Sequence, residues 1–307
     1  MAEIAYFCSE EIAEKSWMIR NFGDATPAIC YLVEGKDYSL LIDSIIGIGN
    51  LKAYCETLTQ KPIILVNTHA HSDHVGGNFH FDHCYMHHRD ISFMQKSYVG
   101  ITKEVIFQTA KNMAPKEISE MMVPDDNFTD WNPIKIYPLY DGDEFDLGDR
   151  KIEVVYVGGH TEGSIVLIDH KTRICYSGDA CNGNTLLEFP NSTSIVEYMK
   201  NLLHFKEHQS EFDKLYGGHE TFSDTSIIDE AIETVAKVIA GTDDKCEETG
   251  MLGTPVLYAA KKKKDSYGRE DGKRFNMSYV PSQIYGPAKT KQILDAKQLL
   301  PAQPNNQ

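Results

Sequence analysis

Between positions 67 and 78 the chain reads Asn-Thr-His-Ala-His-Ser-Asp-His-Val-Gly-Gly-Asn, which brings His69, His71, Asp73 and His74 within six residues of one another. Imidazole nitrogens and carboxylate oxygens are the usual non-thiolate donors for zinc, and a loop leaving a strand can turn several of them toward one point. Histidines also occur as exposed or internally bonded polar residues, but four donors in so short a span fit that reading poorly. Three more donors share a context, each following a β-type run: His160 after Val157-Gly158-Gly159, Asp179 after Tyr176-Ser177-Gly178, and His219 after Tyr216-Gly217-Gly218. The glycines ahead of each are expected to let the backbone turn sharply into a site. Alone, any of these three reads as structural; as an ordered set behind the first cluster they extend it.

The elements that must hold these residues are mixed. Residues 63–67 form a short apolar run, the pattern of a buried strand, and the first donors follow it directly. Ahead of it, residues 28–34 and 38–43 are β-type runs around Gly35-Lys36-Asp37, a hairpin pattern, and a short helix is expected at about 51–59. After a strand-like piece at 84–87, residues 90–122 read as a helical insert rich in Met, Phe and Ile. Four β runs follow at 134–139, 151–157, 165–169 and 173–176, then helices at about 194–209 and 224–240 flanking a strand at 214–216. Strand, helix, strand is the rhythm of an α/β protein.

The order His69-x-His71-x-Asp73-His74, then His160, Asp179 and His219, resembles the metallo-β-lactamase superfamily over roughly residues 25–220, including the opening hairpin and His74-Val75-Gly76-Gly77-Asn78. The resemblance implies an αβ/βα sandwich of two mixed sheets with helices outside and a two-metal site at the sheet edge. Carried across by position, His69, His71 and His160 would hold one ion, Asp73, His74 and His219 the other, and Asp179 would bridge them. Two divalent ions roughly 3.5–4 Å apart make hydroxide available near neutral pH and stabilise an oxygen that gains negative charge. The implied cofactors are two divalent ions, zinc first, with iron and manganese as alternatives.

Departures within the family narrow the chemistry. His71 stands where a Glu would suggest an oxygen-handling di-iron site, and Asp179 stands where the β-lactamases proper carry Cys or Ser, so β-lactam hydrolysis is disfavoured. The remaining resemblance is to the glyoxalase II and lactonase branch. It implies a hydrolase whose metal-bound hydroxide cleaves a small thioester, lactone or ester, with Asp73 as ligand and proton acceptor. Asn182 occupies the position of a lactonase tyrosine and is a candidate hydrogen-bond donor to substrate, with Cys181 beside it. Phosphodiester hydrolysis of a small nucleotide or phospholipid-type substrate is the alternative, and a non-catalytic metal-containing binding or regulatory protein is a third reading.

Other features of the sequence have plainer roles beside any functional one. Residues His80, His83, His87 and His88 are expected on the surface or behind the site. His204 and His208, at i and i+4 on a helix, could offer a metal two imidazoles, but Leu202, Leu203 and Phe205 make that helix an ordinary amphipathic one and no function is assigned to the pair. The insert residues Phe93, Met94, Ile101, Ile106, Phe107, Met113, Met121 and Met122 either pack on the core or wall a pocket for an apolar acyl or ring group. Seven cysteines without a CxxC pair do not describe a disulfide framework and fit a reducing compartment.

The 307 residues carry 30 Lys plus Arg against 45 Asp plus Glu, a net charge of −15 that disfavours nucleic acid. That total averages unlike regions, because residues 250–307 hold 10 basic and 4 acidic residues. A division into a hydrolase domain at 1–250 and a basic C-terminal extension at 251–307 is expected. The cations at 261–264, 269, 273 and 274 form a solvated face, or reach an anionic substrate or the acidic body of a neighbouring subunit. No apolar run spans a bilayer and the first residues lack a signal-peptide pattern, so a cytoplasmic protein with a small-molecule substrate and no membrane partner is expected; a homo-oligomer is left open.

Overall fold

The computed structural model describes residues 6–21, 28–97, 102–120, 122, 134–219, 223–264 and 268–286. Among these, strands β1 (Phe7–Ala13), β2 (Ser16–Asn21), β3 (Ile29–Glu34), β4 (Ser39–Ile42), β5 (Ile63–Asn67), β6 (His83–His87) and β7 (Lys135–Leu139) form one sheet in sequential order. Neighbours β1 to β4 are antiparallel and β4 to β7 parallel, the second half being reached by crossovers such as helix α1 (Leu51–Leu58). A second sheet contains β8 (Glu144–Asp146), β9 (Lys151–Tyr156), β10 (Ile165–Asp169), β11 (Ile174–Gly178), β13 (Lys214–Gly217) and β14 (Ser223–Asp224). A third, smaller sheet joins β12 (Asn184–Leu187) to β15 (Cys246–Thr249), β16 (Pro255–Tyr258) and β17 (Asn276–Tyr279).

Strand alternation decides the layers. Along β9, Ile152 and Val154 face the first sheet, where they meet Tyr31, Val33, Leu40, Ile42 and Val66, while Val155 faces the opposite way. That outer face is covered by α6 (Ile195–Glu207) and α7 (Ile227–Ala240) through Tyr198, Leu202, Phe205, Ala231 and Val235. The outer face of the first sheet, with Ile19, Leu32, Leu41 and Leu65, is covered by Leu51 and Cys55 of α1. Helix, sheet, sheet, helix is therefore the observed order of layers, the αβ/βα sandwich.

The turn between β15 and β16 falls at residues 250–254, where the sequence divides into acidic body and basic extension. Beyond it β17 pairs in parallel with β12, and Phe275, Met277 and Tyr279 enter the same core as α6 and α7. Among the described residues of the extension, Lys273 pairs with Glu233, Arg274 with Asp224 and Glu230, and Lys262 with Glu248. Arg269 is buried and donates to Thr234 and to the Phe275 carbonyl. The helical insert resolves into α3 (His88–Ser97), α4 (Lys103–Met113) and α5 (Lys116–Ser119). Met94 packs on Ala70, Val75 and Met86, and Ile106, Phe107 and Met122 pack on Ile48, whereas Ile101, Met121 and the Met113 side chain lie outside the described residues. No helix among the described residues is long and apolar enough to cross a membrane.

Candidate metal centre

Strands β9, β11 and β13 run in the same direction, so their C-terminal ends share one rim of the second sheet, opposite the C-terminal end of β5 in the first. Each strand end releases one part of the donor set: β5 leads to His69, β9 to His160, β11 to Asp179 and β13 to His219. The short helix α2 (Ser72–Val75), with His71 as its N-cap residue, adds Asp73 and His74. The Tyr31 hydroxyl donates to the Gly217 carbonyl at 2.6 Å and the Ile29 N–H to the Gly218 carbonyl at 2.8 Å, which pins the two sheets together beside this rim.

All seven side chains meet there. His69, His71 and His160 offer donor atoms within 4.8 Å of one another, as do Asp73, His74 and His219, and as do His69, His74 and Asp179. Asp179 lies between the outer groups, with Oδ2 at 3.5 Å from His160 Nε2, 3.1 Å from His219 Nε2 and 3.8 Å from His74 Nε2. His71 Nδ1 approaches His160 Nε2 at 2.8 Å, and His219 Nε2 is 3.3 Å from Asp73 Oδ2.

Neighbouring groups choose which nitrogen each ring presents. The Leu186 carbonyl can only accept, so His160 donates from Nδ1 at 2.7 Å and turns an unprotonated Nε2 inward. His74 Nδ1 faces Asp43 Oδ2 at 2.9 Å, leaving Nε2 toward Asp179 and His219. Thr68 Oγ1 donates to Asp43 Oδ2 at 2.8 Å and so accepts from His69 Nδ1 at 3.1 Å, which leaves His69 Nε2 as a bare lone pair. That atom is buried and has no hydrogen-bond partner among the described residues. A buried acceptor without a partner is costly, and a cation among these donors satisfies it. The donor set fits divalent metal ions of the zinc type.

Electrostatics divides the site. Burial, and then neighbouring histidines, push His69 well below the usual imidazole range and His71 down to about 3. Burial lowers His160 as well, so these three rings are neutral, the form that ligates a metal. Burial also pulls on His74, but Asp73, Asp43 and Asp179 outweigh it and raise this ring to about 10. His219 rises for the same kind of reason, with burial opposed by Asp179. Asp179 is held well below the carboxylate range because His219, His74 and His160 outweigh its burial. The carboxylates thus favour positive charge at one side of the site.

Two supporting carboxylates were not singled out from sequence. Asp43 follows β4 and binds His74 and Thr68 together. Asp90, at the start of α3, accepts from the Ala70 and Gly163 N–H groups and from Thr161 Oγ1, tying the first donor loop to the one that carries His160. Burial raises Asp90 to about 6 against those three hydrogen bonds. Also missed was Phe189, whose ring lies edge-on at 4.8 Å from His71 and 5.4 Å from His160; Phe93 of α3 stands 6.0 Å from His71.

The glycines act partly as expected. Gly178 has φ +48, and a Cβ there would collide with Thr68. Gly218 needs no left-handed turn; a Cβ there would lie 2.5 Å from His74 Cε1 and 2.7 Å from Asp179 Oδ1, so its role is clearance for the donors. Asn182 is buried, gives Nδ2–H to Asp179 Oδ1 at 3.3 Å and accepts at Oδ1 from Asn184 N–H and Thr185 Oγ1. Cys181 is buried in the core beside α6. Of the other histidines, His83 and His88 are exposed, His80 bonds the Gly49 carbonyl, and His87 is buried against the Tyr156 ring.

Comparison with known proteins agrees with this geometry. The chain is 25% identical to the human (Homo sapiens) acyl-coenzyme A thioesterase MBLAC2 over 216 residues, 65% of this chain and 75% of that one, and 24% identical to the Bos taurus protein over the same shares. Among solved structures, the inverting sec-alkylsulfatase Pisa1 from Pseudomonas sp. superposes with a TM-score of 0.55 at 14% identity, covering 76% of this chain and 42% of that one. A metallo beta lactamase from Erythrobacter litoralis superposes with a TM-score of 0.51 at 16% identity, covering 77% and 99%. These structures share the fold. The family model of the metallo-beta-lactamase superfamily matches residues 23–219, and the chain belongs to that superfamily.

Proposed function

We propose that the chain is a metal-dependent hydrolase that cleaves a small acyl thioester at a two-ion centre. His69, His71 and His160 would hold one ion and Asp73, His74 and His219 the other, with Asp179 placed between the two groups. The observation that carries this reading is the position of Asp179, whose Oδ2 is within 3.5 Å of His160 and 3.1 Å of His219, one from each group. The relatives named as acyl-coenzyme A thioesterases support the thioester bond, and so do the half-buried rings of Phe93 and Phe189 against His71, which suit an apolar acyl group.

When bound, two divalent ions, zinc on the chemistry of these donors, supply Lewis acidity and lower the pKa of water. The chain's own residues do the rest. Leu186 and Asp43 lock the His160 and His74 rings so that Nε2 of each faces inward. Asp73, with its side chain 36% exposed, turns Oδ2 toward His74 and His219, where it would serve as a ligand, and its carboxylate is open to accept the proton given up by the attacking water. A thiolate leaves without a strong acid because its pKa of about 8.5 is near the working pH. An oxygen ester or lactone asks more of the same residues.

Metal analysis of protein purified without added ions tests the centre. At least about two ions per chain are expected, with Asp179→Ala holding fewer than wild type; a total below about one ion, or a content indifferent to that change, overturns the two-ion reading.

A further inference from the structure

Away from this centre, a second set of donors gathers at the C-terminal end of α6. Glu153 comes from β9, His170 from the turn after β10, His208 from the C-cap of α6, and Glu211 from the turn that follows. Glu153, His208 and Glu211 each offer a ligand atom within 4.8 Å of the other two. His170 lies between the carboxylates, with Nε2 at 2.9 Å from Glu153 Oε2 and Nδ1 at 3.8 Å from Glu211 Oε2. His208 Nδ1 is 3.1 Å from Glu211 Oε1.

Two carboxylates and one imidazole from three separate positions are a nitrogen and oxygen donor set of the kind zinc takes when water completes its coordination. The side chains of Glu153 and His208 are only 21% and 18% exposed, so charge at this point is less well screened than on an open surface. One turn back on α6, His204 faces Asp141 at 3.1 Å with its ring 5.3 Å from that of His208, which adds another carboxylate to the surroundings. We propose that Glu153, His208 and Glu211 form a further binding site for one divalent transition-metal ion such as zinc, which clips the end of α6 to β9, with the His170 ring bridging the two carboxylates beside it. The site shares no residue with the catalytic centre and does not depend on how many ions that centre holds.

Zinc titration of metal-depleted protein against a chromophoric chelator tests it, comparing wild type with the double variant His208→Ala, Glu211→Gln. The variant is expected to take up one ion fewer, to lose part of the zinc-dependent rise in Tm, and to keep its hydrolytic activity. The single variant Glu211→Gln, which preserves size and hydrogen bonding, is expected to weaken uptake of that ion while leaving the circular dichroism spectrum unchanged. Equal uptake by wild type and both variants overturns the proposal and reduces the cluster to imidazole and carboxylate pairs.

Discussion

Asp43 holds the site together at the residue scale, and its backbone shows the cost, since φ +63 is left-handed for a residue with a Cβ. Its carboxylate offsets that strain by accepting from Thr68 N–H at 2.7 Å, from Thr68 Oγ1 at 2.8 Å and from His74 Nδ1 at 2.9 Å. Asp43→Ala is expected to weaken zinc binding roughly 10- to 100-fold, the usual loss when a group orienting a ligand is removed; unchanged affinity in a chelator competition would confine Asp43 to the fold. Asn182 poses a different question, because its amide donates to Asp179 Oδ1. If it acts by positioning Asp179, Asn182→Ala lowers kcat and metal affinity with little change in KM, whereas a rise in KM alone would mark a substrate contact. The convergence of the seven candidate donors is legible in the sequence because they follow apolar strands and four of them cluster within six residues. Asp43 and Asp90 are not, since a lone carboxylate at the end of an element has no spacing to distinguish it, and only the packed strands bring it to an imidazole or an amide.

At the scale of elements, the sandwich was readable wherever a strand is buried on both faces. Ile63–Asn67, Ile165–Asp169 and Ile174–Gly178 are such runs. Strand β1 escaped because it is an edge strand with Cys8, Ser9, Glu10 and Glu11 exposed, and β12 and β17 escaped because they are four residues long and contain Asn. Helix α3 serves the site twice, through Asp90 at its start and Phe93 one turn later. Phe189 lies just past β12, so the apolar wall is built from two regions distant in sequence. Replacing both rings by Ala is expected to raise KM for long apolar acyl thioesters by roughly tenfold, from the lost burial of about 1–2 kcal/mol, while short acyl substrates change little. An equal change for long and short chains would remove these rings from substrate choice.

Across the whole molecule, the described part of the basic extension is held by the acidic body of its own chain. Lys273 and Lys237 lower Glu233 to about 2, and Arg274 lowers Asp224. A carboxylate depressed in the folded state stabilises above its unfolded pKa, near 4.5 for Glu233, and loses that contribution as pH falls toward about 2. These pairs are largely exposed, so Lys273→Ala with Arg274→Ala is expected to lower Tm by only about 2–4 °C at pH 7. The difference from wild type should shrink between pH 5 and pH 2, and a difference that grows on acidification would contradict this docking. The net charge of −15 conceals this arrangement, because charge totals do not say which cations meet which acids. Which bond is cleaved is decided by measuring kcat/KM of the metal-loaded protein and of Asp179→Ala on matched acyl thioester, oxygen ester, lactone, phosphodiester and β-lactam substrates. The thioester is expected to be preferred, and Asp179→Ala to abolish its hydrolysis; activity confined to phosphodiesters, or thioester hydrolysis that survives the loss of Asp179, would contradict the proposed thioesterase.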